Sequence, residues 1–281
     1  MDNLETDFAL SFMLDHPLAA VKVLEQSDLD SVATFFDQLP EHYVTPVMDC
    51  MLPEFGGKLL TRLTPARAAA IMENIDTSQA ANILRKVNQS CLPPIMEELP
   101  RKLRFSIELL LTYSPRTIGG WLFPHCLVQS PDTLVHEAIT YITSESEDVP
   151  FAQFLYVVDR EGKLQGQAAV IDILKGGSSL PLSSVMTTSR LSLPAYMLLE
   201  QALEHKAWLD ADTLPVVSRD QQFLGIITHH ALRQGLMHLQ GRQPHSPAAR
   251  DPVSSIFDVY GKSLLAVLST VSDAVDTEQQ P

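Results

Sequence analysis

Five acidic residues in two short segments carry the side chains best suited to bind a hard cation. Glu145, Glu147 and Asp148 lie close together in the first segment, and Asp210 and Asp212 lie in the second. Carboxylate oxygens are the ligands that Mg²⁺ prefers, and Mg²⁺ held by so few of them keeps several waters and binds weakly. The sequence therefore predicts metal-binding residues at these five positions, with solvated surface charges as the alternative.

The sequence contains no motif that indicates enzyme chemistry. A glycine-rich phosphate loop, a Gly-x-Ser-x-Gly nucleophile elbow and a His-Glu-x-x-His zinc motif are all missing. The 3 cysteines form no Cys-x-x-Cys pair, and the 9 histidines are scattered without metal-ligand spacing. We therefore predict no catalytic residues and expect that the protein is not an enzyme.

Charge and hydropathy limit the partners of the chain. Its 281 residues carry a formal charge of -14, with no concentrated basic patch of the kind that binds nucleic acid. The first residues, 1–5, lack the positive charge of a signal peptide. No run approaches the ~20 apolar residues that span a bilayer. We expect a cytoplasmic location, no nucleic-acid partner and no membrane span.

The first 115 residues contain turn signals at a nearly constant interval. The apolar or aromatic residues that lead into these signals are Leu39, Leu52, Leu63, Ile75, Val87, Leu99 and Tyr113. Apolar residues recur at helical spacing between the signals, and Pro, Asx, Ser or Thr begins each unit. The pattern predicts a row of short helices of about two to three turns, which are stable only when stacked on neighbours. An ordinary helical bundle is the alternative.

The second half of the chain repeats one order of elements. Strands are predicted at 154–158, 164–171, 213–217 and 223–227. Flanking helices are predicted at 133–143, from Asp172, at 196–207 and at 228–235. Val157 and Val216 begin matching Val-Val pairs 59 residues apart, and Gly166 and Gly225 have the same separation. The pattern predicts an α-β-β-α unit that occurs twice.

These features together resemble the cytosolic region of MgtE-type magnesium transporters. The helical half resembles the MgtE intracellular N-terminal domain, and the repeated unit resembles a tandem CBS pair, or Bateman module. Residues 113–120 are similar to the Tyr-Pro-x-x-Thr-Ala-Gly-Gly junction of that family, and residues 185–187 are similar to its Leu-Met-Thr. The resemblance covers about residues 16–238 and does not extend to the transmembrane domain of that family. It implies an α + α/β fold, with an all-α helical-repeat superhelix at 1–118 and a tandem CBS module at 119–240.

The resemblance also implies ligands and an assembly. Homodimers form through the CBS pairs in that family, and Mg²⁺ between acidic faces holds a closed state. CBS motifs often end the second strand with Ser/Thr-x-x-Asp, which can meet the ribose and phosphates of an adenine nucleotide. In the first unit Asp172 matches the Asp of this motif, but Ala169 stands at the hydroxyl position. In the second unit Thr228 matches the hydroxyl residue, but Ala231 stands at the Asp position. We predict Asp172 and Thr228 as the cofactor-binding residues, with helix capping as the alternative.

Beyond the repeated unit, a proline-rich stretch and an amphipathic segment follow. Residues 241–252 contain three prolines and are predicted to form a linker. A helix is predicted at 253–275, with an apolar stripe that would dock on a partner, such as a membrane transporter, or on its own domain. The stripe consists of Ile256, Phe257, Tyr260, Leu264, Val267, Leu268 and Val271.

Two functions are open from the sequence. We favour a regulatory protein that binds Mg²⁺ or an adenine nucleotide and acts through a partner. A ligand-independent dimeric scaffold is the alternative, because neither Ser/Thr-x-x-Asp half-site is complete.

Overall fold

The computed structural model describes residues 2–145, 149, 152–188, 191–209 and 211–239. The described chain divides into two compact units, one ending at Glu108 and the other beginning at Leu109. The first unit is helical and the second mixes strands with helices, which confirms the predicted order of fold classes. The predicted linker at 241–252 and the predicted helix at 253–275 lie outside the described residues.

Short α-helices joined by tight turns build the first unit. They are α1 (Asp2–Asp15), α2 (Pro17–Leu24), α3 (Leu29–Gln38), α4 (Glu41–Cys50), α5 (Pro53–Leu60), α6 (Pro65–Glu73), α7 (Thr77–Leu84), α8 (Leu92–Glu98) and α9 (Arg101–Leu111). The first six predicted turn signals from Leu39 onward each fall between two consecutive helices, and Tyr113 follows α9. The 12-residue spacing of the signals therefore predicts the helix boundaries correctly.

Capping explains where several of these helices begin. The Asp28 side chain accepts a hydrogen bond from the Ser31 backbone N–H and begins α3. The Asp76 carboxylate accepts bonds from Ser78 and Gln79 and begins α7. Proline occupies the first turn of α2, α5 and α6, where its missing N–H leaves no bond unmade.

The helices stack in two rows. Helices that are two apart in the chain contact each other, so that α2, α4, α6 and α8 form one row and α3, α5 and α7 form the other. Their inner faces bury an apolar core that includes Phe36, Met48, Leu59 and Ile71. Stacking of this kind gives short helices the packing that they lack alone.

A ladder of side-chain hydrogen bonds repeats across the first unit with the same period. Arg67 donates to the carbonyls of Phe36 and Leu39, at the end of α3. Gln79 donates to the carbonyls of Met48 and Met51, at the end of α4. Donors and acceptors are each shifted by 12 positions, so one geometry recurs in successive repeats. The bonds satisfy carbonyls that a helix C-terminus leaves without an intrahelical partner.

Two small sheets and four α-helices form the described part of the second unit. The strands are β1 (Leu127–Gln129), β2 (Phe154–Val158), β3 (Leu164–Ala169), β4 (Thr187–Thr188), β5 (Leu193–Pro194), β6 (Thr213–Val217) and β7 (Phe223–Thr228). The helices are α10 (Val135–Glu145), α11 (Val170–Lys175), α12 (Leu199–Leu203) and α13 (His229–Leu239). One sheet has the order β1-β2-β3-β4 and the other β5-β6-β7. In each sheet a parallel pair is followed by an antiparallel hairpin.

Two predicted elements differ from the structure. The predicted strand at 164–171 ends at Ala169, and α11 begins at Val170 rather than at Asp172. The predicted helix at 196–207 is wrong in extent, because it is replaced by the shorter α12 and a 3-10 turn at Lys206–Leu209. The segment before α12 stays extended because its carbonyls accept hydrogen bonds from the backbone at 118–119.

The two hairpins are duplicates in detail. Phe154 pairs with Ala169 in the first hairpin, and Thr213 pairs with Thr228 in the second. Both residues of the second pair lie 59 positions after their equivalents in the first. Both hairpins change register at the same place within their Val-Val pair. Gly162 and Gln221, also 59 apart, both have positive φ, at 83° and 62°. The repeat seen in the sequence is therefore a repeat of backbone conformation.

The duplicated sheets exchange their edge segments. The segment that precedes β5 forms β4 and pairs with β3, where Gln167 faces Thr187. Phe123, which precedes β1, pairs instead with Ile226 of β7, the residue equivalent to Gln167. Each sheet is thus completed by chain that leads into the other sheet, which ties the two α-β-β-α units into one body.

Candidate functional site

The two hairpins meet at a pseudo-two-fold seam. Lys163 and Gln222, which are equivalent in the duplicated unit, form an antiparallel bridge with each other. The Phe223 N–H donates to the Gly162 carbonyl across the same junction, at 2.8 Å. A bridge between equivalent residues places the pseudo-two-fold axis between them. Any site on one side of this seam therefore has an equivalent position on the other side.

Tyr156 of β2 fills the space between the hairpins. Its ring stacks on Phe223 of β7, with centroids 5.0 Å apart and an interplanar angle of 24°. Only 2% of the residue is exposed. Burial raises the pKa of Tyr156 strongly, and a hydrogen bond with the Thr213 side chain acts in the opposite direction. The phenol therefore stays neutral and links the first hairpin to β6.

Thr228 lies at the end of β7 and is buried, with 5% exposure. Its hydroxyl accepts a hydrogen bond from the Ala231 N–H, at 3.0 Å, and thereby caps α13. Thr213 is its partner in the strand register. The capping role that the sequence left open is present, and the role of Thr228 in cofactor binding stays a prediction.

Asp172 lies in the first turn of α11 and is exposed. The N-cap of this helix is Ala169, whose side chain makes no capping bond. Ala169 is equivalent to Thr228, and Asp172 is equivalent to Ala231. The two half-sites therefore lie at equivalent ends of the two hairpins. The half-site of the first hairpin has the carboxylate, Asp172, without a hydroxyl, and the half-site of the second hairpin has the hydroxyl, Thr228, without a carboxylate. Whether Asp172 binds a cofactor stays a prediction.

The predicted metal ligands are only partly within the described residues. Glu145 ends α10 and is half-buried. Asp212 is exposed just before β6, and its backbone carbonyl accepts a bond from the His229 N–H at 3.4 Å. Glu147, Asp148 and Asp210 lie outside the described residues. Within the described part of the chain, no three His, Cys, Asp or Glu side chains are grouped to hold a metal. The metal assignment stays a prediction.

One polar groove of the second unit was not predicted from the sequence. It has a volume of about 540 Å³ and is lined by Ser130, Pro131, Asp132, Asp159, Arg160, Glu161, Lys163 and Gln165. The Asp159 carboxylate accepts bonds from the N–H groups of Glu161 and Lys163 and from the Gln165 amide. Lys163 also pairs with Glu161 at 2.7 Å. These charged groups therefore satisfy one another, as expected of a structural turn.

Among the described residues, no helix has the length and apolarity that crossing a bilayer requires.

Sequence comparisons relate the chain to magnesium transporters. Residues 15–116 match the model of the MgtE intracellular N domain. The chain is 23% identical over 222 residues to the magnesium transporter MgtE of Thermus thermophilus, covering 74% of this chain and 49% of that protein. It is 20% identical over 219 residues to MgtE of Bacillus subtilis, covering 73% and 48%. The chain thus spans about half the length of the curated relatives it matches.

Solved structures share the fold described above. The cytosolic domain of the Mg²⁺ channel MgtE in complex with ATP has a TM-score of 0.67 at 20% identity, covering 80% of this chain and 92% of that one. The soluble part of a magnesium transporter has a TM-score of 0.58 at 16% identity, covering 84% and 98%. At these identities the likeness shows the fold, and it confirms the predicted helical repeat followed by a duplicated β-unit.

Proposed function

We propose that this chain is a regulatory module of magnesium homeostasis, because residues 15–116 match the MgtE intracellular N domain and the fold resembles that of an MgtE cytosolic domain. In this proposal it responds to Mg²⁺, to an adenine nucleotide or to both, and it passes the response to a partner. The observation that carries the proposal is the fold shared over 80% of this chain with an MgtE cytosolic domain that was solved with ATP. We expect no catalysis and a cytoplasmic location.

The seam offers a physical route from ligand to response. The Thr228 hydroxyl already holds the Ala231 N–H in the first turn of α13. A nucleotide hydroxyl or phosphate that bonded to Thr228 would compete with this cap, and loss of an N-cap costs a helix about 1 kcal/mol. Occupancy at this half-site and the position of α13 are therefore coupled.

Mg²⁺ is the second proposed ligand, bound by the acidic segments that contain Glu145 and Asp212. Glu145 ends α10, the helix that precedes β2 in the chain, and Asp212 lies just before β6. Mg²⁺ held by a few carboxylates keeps most of its waters and relieves the repulsion between like charges. Millimolar affinity would suit a sensor of the free ion.

Partners would bind apolar surfaces that the described chain leaves exposed. Ile171 and Leu174 on α11 are 57% and 56% exposed, one turn apart on one helix face. Exposed apolar pairs of this kind mark interaction surfaces when they form a patch. We propose that this face contributes to a homodimer through the CBS-like pair, and that residues 253–275 serve docking.

Calorimetric titration of the full chain with ATP, AMP and Mg²⁺, each to millimolar concentration, tests the proposal. Removing one hydrogen bond to a ligand weakens affinity by about 5- to 10-fold. We expect that loss for nucleotide in Thr228→Val and in Asp172→Asn. The matched controls are Thr140→Val, at an exposed position of α10, and Asp220→Asn, in the exposed β6–β7 turn. If no heat of binding is measured with any of the three ligands, the proposal that the chain responds to them is contradicted.

A ligand-independent scaffold is favoured by one observation. Tyr156 of the first hairpin stacks on Phe223 of the second, so that side chains of the protein itself hold the two hairpins together. In a scaffold, dimerisation and partner binding would not change when nucleotide or Mg²⁺ is added. Sedimentation of the full chain with and without the ligands separates the two functions, because a regulatory module must change its assembly or its partner affinity.

A further inference from the structure

The segments that lead into the two hairpins of the second unit are held by equivalent backbone hydrogen bonds. Donor and acceptor in one half each have an equivalent 64 positions away in the other half. The bonds, written donor to acceptor, are Ile118 to Met197 and Leu182 to Thr133, Gly119 to Ala195 and Ser183 to Pro131, and Leu199 to Arg116 and Val135 to Leu180. This correspondence makes Asp132 the equivalent of Tyr196, and Gly177 the equivalent of Tyr113.

In the second half, two tyrosines surround Arg219 of the β6–β7 turn. The guanidinium lies over the Tyr196 ring, 5.6 Å from its centroid, where the negative ring face attracts a cation. Burial raises the pKa of Tyr113 and the Arg219 charge acts in the opposite direction, so this phenol also lies near the guanidinium. The Tyr113 ring covers Gly119, because a methyl group added there would collide with the ring.

The first half keeps the cation but neither ring. Arg160 is equivalent to Arg219, 59 positions later, and lines the polar groove of about 540 Å³. Asp132 and Gly177 stand at the two tyrosine positions. Ser183 stands where the second half has the glycine beneath a tyrosine ring. The first half is therefore open at the place where tyrosines of the chain itself fill the second half.

Two charged groups of this groove are available to a ligand. Among the described residues, no hydrogen bond or ion pair engages the Arg160 guanidinium or the Asp132 carboxylate. The remaining charged residues of the groove, Asp159, Glu161 and Lys163, bond to one another within the turn. An aromatic ring on the guanidinium and a cation beside the carboxylate would match the two groups that are left.

We propose that the groove containing Arg160 and Asp132 binds a tyrosine of a partner protein that is followed by a basic residue. The tyrosine takes the place that Tyr113 has in the second half, with its ring on the guanidinium. The basic side chain pairs with Asp132, and the formal charge of -14 favours a basic partner. The groove lies at the turn end of the first hairpin, opposite the Ala169 half-site, so this inference is independent of the proposed response to Mg²⁺ or nucleotide.

NMR titration of the full chain with the dipeptide acetyl-Tyr-Lys-amide tests the groove. We expect the amide signals of Asp132 and of residues 159–163 to shift, and Arg160→Ala to weaken binding about 2- to 5-fold. Arg219→Ala is the matched control and should leave the affinity unchanged, because tyrosines of the chain already surround that cation. Asp132→Asn should weaken binding of acetyl-Tyr-Lys-amide and leave binding of acetyl-Tyr-Gln-amide unchanged. Acetyl-Leu-Lys-amide has the same charge without the ring and should bind more weakly.

A double variant gives the first groove the cover of the second. Gly177→Tyr supplies the ring, and Ser183→Gly supplies the space beneath it. Together they should abolish the shifts of residues 159–163 with acetyl-Tyr-Lys-amide, because the groove is then filled from within the chain. Gly177→Ser with Ser183→Gly changes the same two positions without a ring and should bind the dipeptide like the unmodified chain.

Each outcome decides for or against the tyrosine groove. The signals of residues 213–217 report whether a variant remains folded, and Arg160→Ala, at an exposed position, keeps the test open if the double variant misfolds. The proposal is overturned if folded Arg160→Ala binds as tightly as the unmodified chain, or if the leucine dipeptide binds as tightly as the tyrosine dipeptide. Shifts of residues 159–163 with ATP but not with acetyl-Tyr-Lys-amide would also overturn it, since the occupant would then be a nucleobase.

Discussion

The carboxylate of Asp49, on α4, accepts a hydrogen bond of 2.9 Å from the backbone N–H of Asp76, which caps α7. Glu25 makes the corresponding bond to the Leu52 N–H, 24 positions earlier in the repeat. Two acidic side chains are thus used as connectors between helix ends in the first unit. The connection places a partly buried carboxylate beside a second carboxylate, with consequences for stability.

Asp49→Asn should stabilise the first unit at neutral pH. Burial raises the pKa of Asp49 to about 6, the bond from Asp76 opposes that rise, and the Asp76 charge adds to it. Because the folded state holds this proton more tightly than the unfolded state, stability is lost as pH rises from about 4 to about 6. The amide keeps the bond to Asp76 without the charge. We expect a gain on the order of 1 kcal/mol at pH 7.5 and almost none at pH 4, after discounting for partial exposure.

Urea unfolding at the two pH values measures this difference. Asp37→Asn, at an exposed carboxylate on α3, is the control and should change neither value. An equal effect of Asp49→Asn at both pH values would mean that its charge is not the cause.

Gly225→Ala should destabilise the second unit by about 2–4 kcal/mol. Gly225 has a φ of 144°, and an added methyl group would collide with the Phe123 carbonyl of the exchanged edge segment. Gly166, the equivalent residue, would place a methyl group 2.6 Å from the Thr187 carbonyl, so Gly166→Ala should also be destabilising. Thermal unfolding measures both. Gly177→Ala, where a methyl group has ordinary contacts, should change little, and an equally small effect at Gly225 would contradict the edge exchange.

Gln79→Leu should cost the first unit about 2–3 kcal/mol. Gln79 is 3% exposed, and its amide nitrogen donates to the carbonyls of Met48 and Met51. The substitution keeps the volume and leaves two carbonyls without this partner. Gln38→Leu, at an exposed position on α3, is the matched control for chemical unfolding. A cost below that of the control would show that the ladder does not stabilise the repeat.

Tyr156 and Thr213 should be energetically coupled across the seam. Tyr156→Phe keeps the stack on Phe223 and removes the hydroxyl, whereas Thr213→Val removes its partner. A double-mutant cycle on unfolding free energies should give a coupling of about 1 kcal/mol. Pairing Tyr156→Phe with Thr188→Val, on exposed β4, should give none. Additive effects of Tyr156→Phe and Thr213→Val would indicate that the hydroxyls do not interact.

The elements that could be predicted from the sequence are those whose own residues show a recognisable pattern of side chains. The strands at 154–158 and 213–217 have the predicted bounds because each is a β-branched and aromatic run closed by a turn. β1, β4 and β5 were not predicted, since a strand of two or three residues is too short to show alternation. Their pairing, and with it the edge exchange, depends on contacts between distant segments.

The candidate site was less predictable than the fold for a related reason. Thr228 was found through its position at the end of a strand, but its bond to Ala231 belongs to the fold and leaves its ligand role open. Tyr156 was recognised only as a strand residue, because its stack on Phe223 appears once the hairpins are placed. Gln79 gave no signal, since its acceptors are backbone carbonyls and carry no side-chain pattern.

The most direct test of the regulatory role is hydrogen exchange of the full chain with and without millimolar ATP and Mg²⁺. Because Thr228 caps α13, bound nucleotide should change the exchange of residues 229–233, and Thr228→Val should abolish that change while Thr140→Val preserves it. Exchange that stays the same throughout the chain with both ligands present would contradict a ligand-responsive module and favour the scaffold.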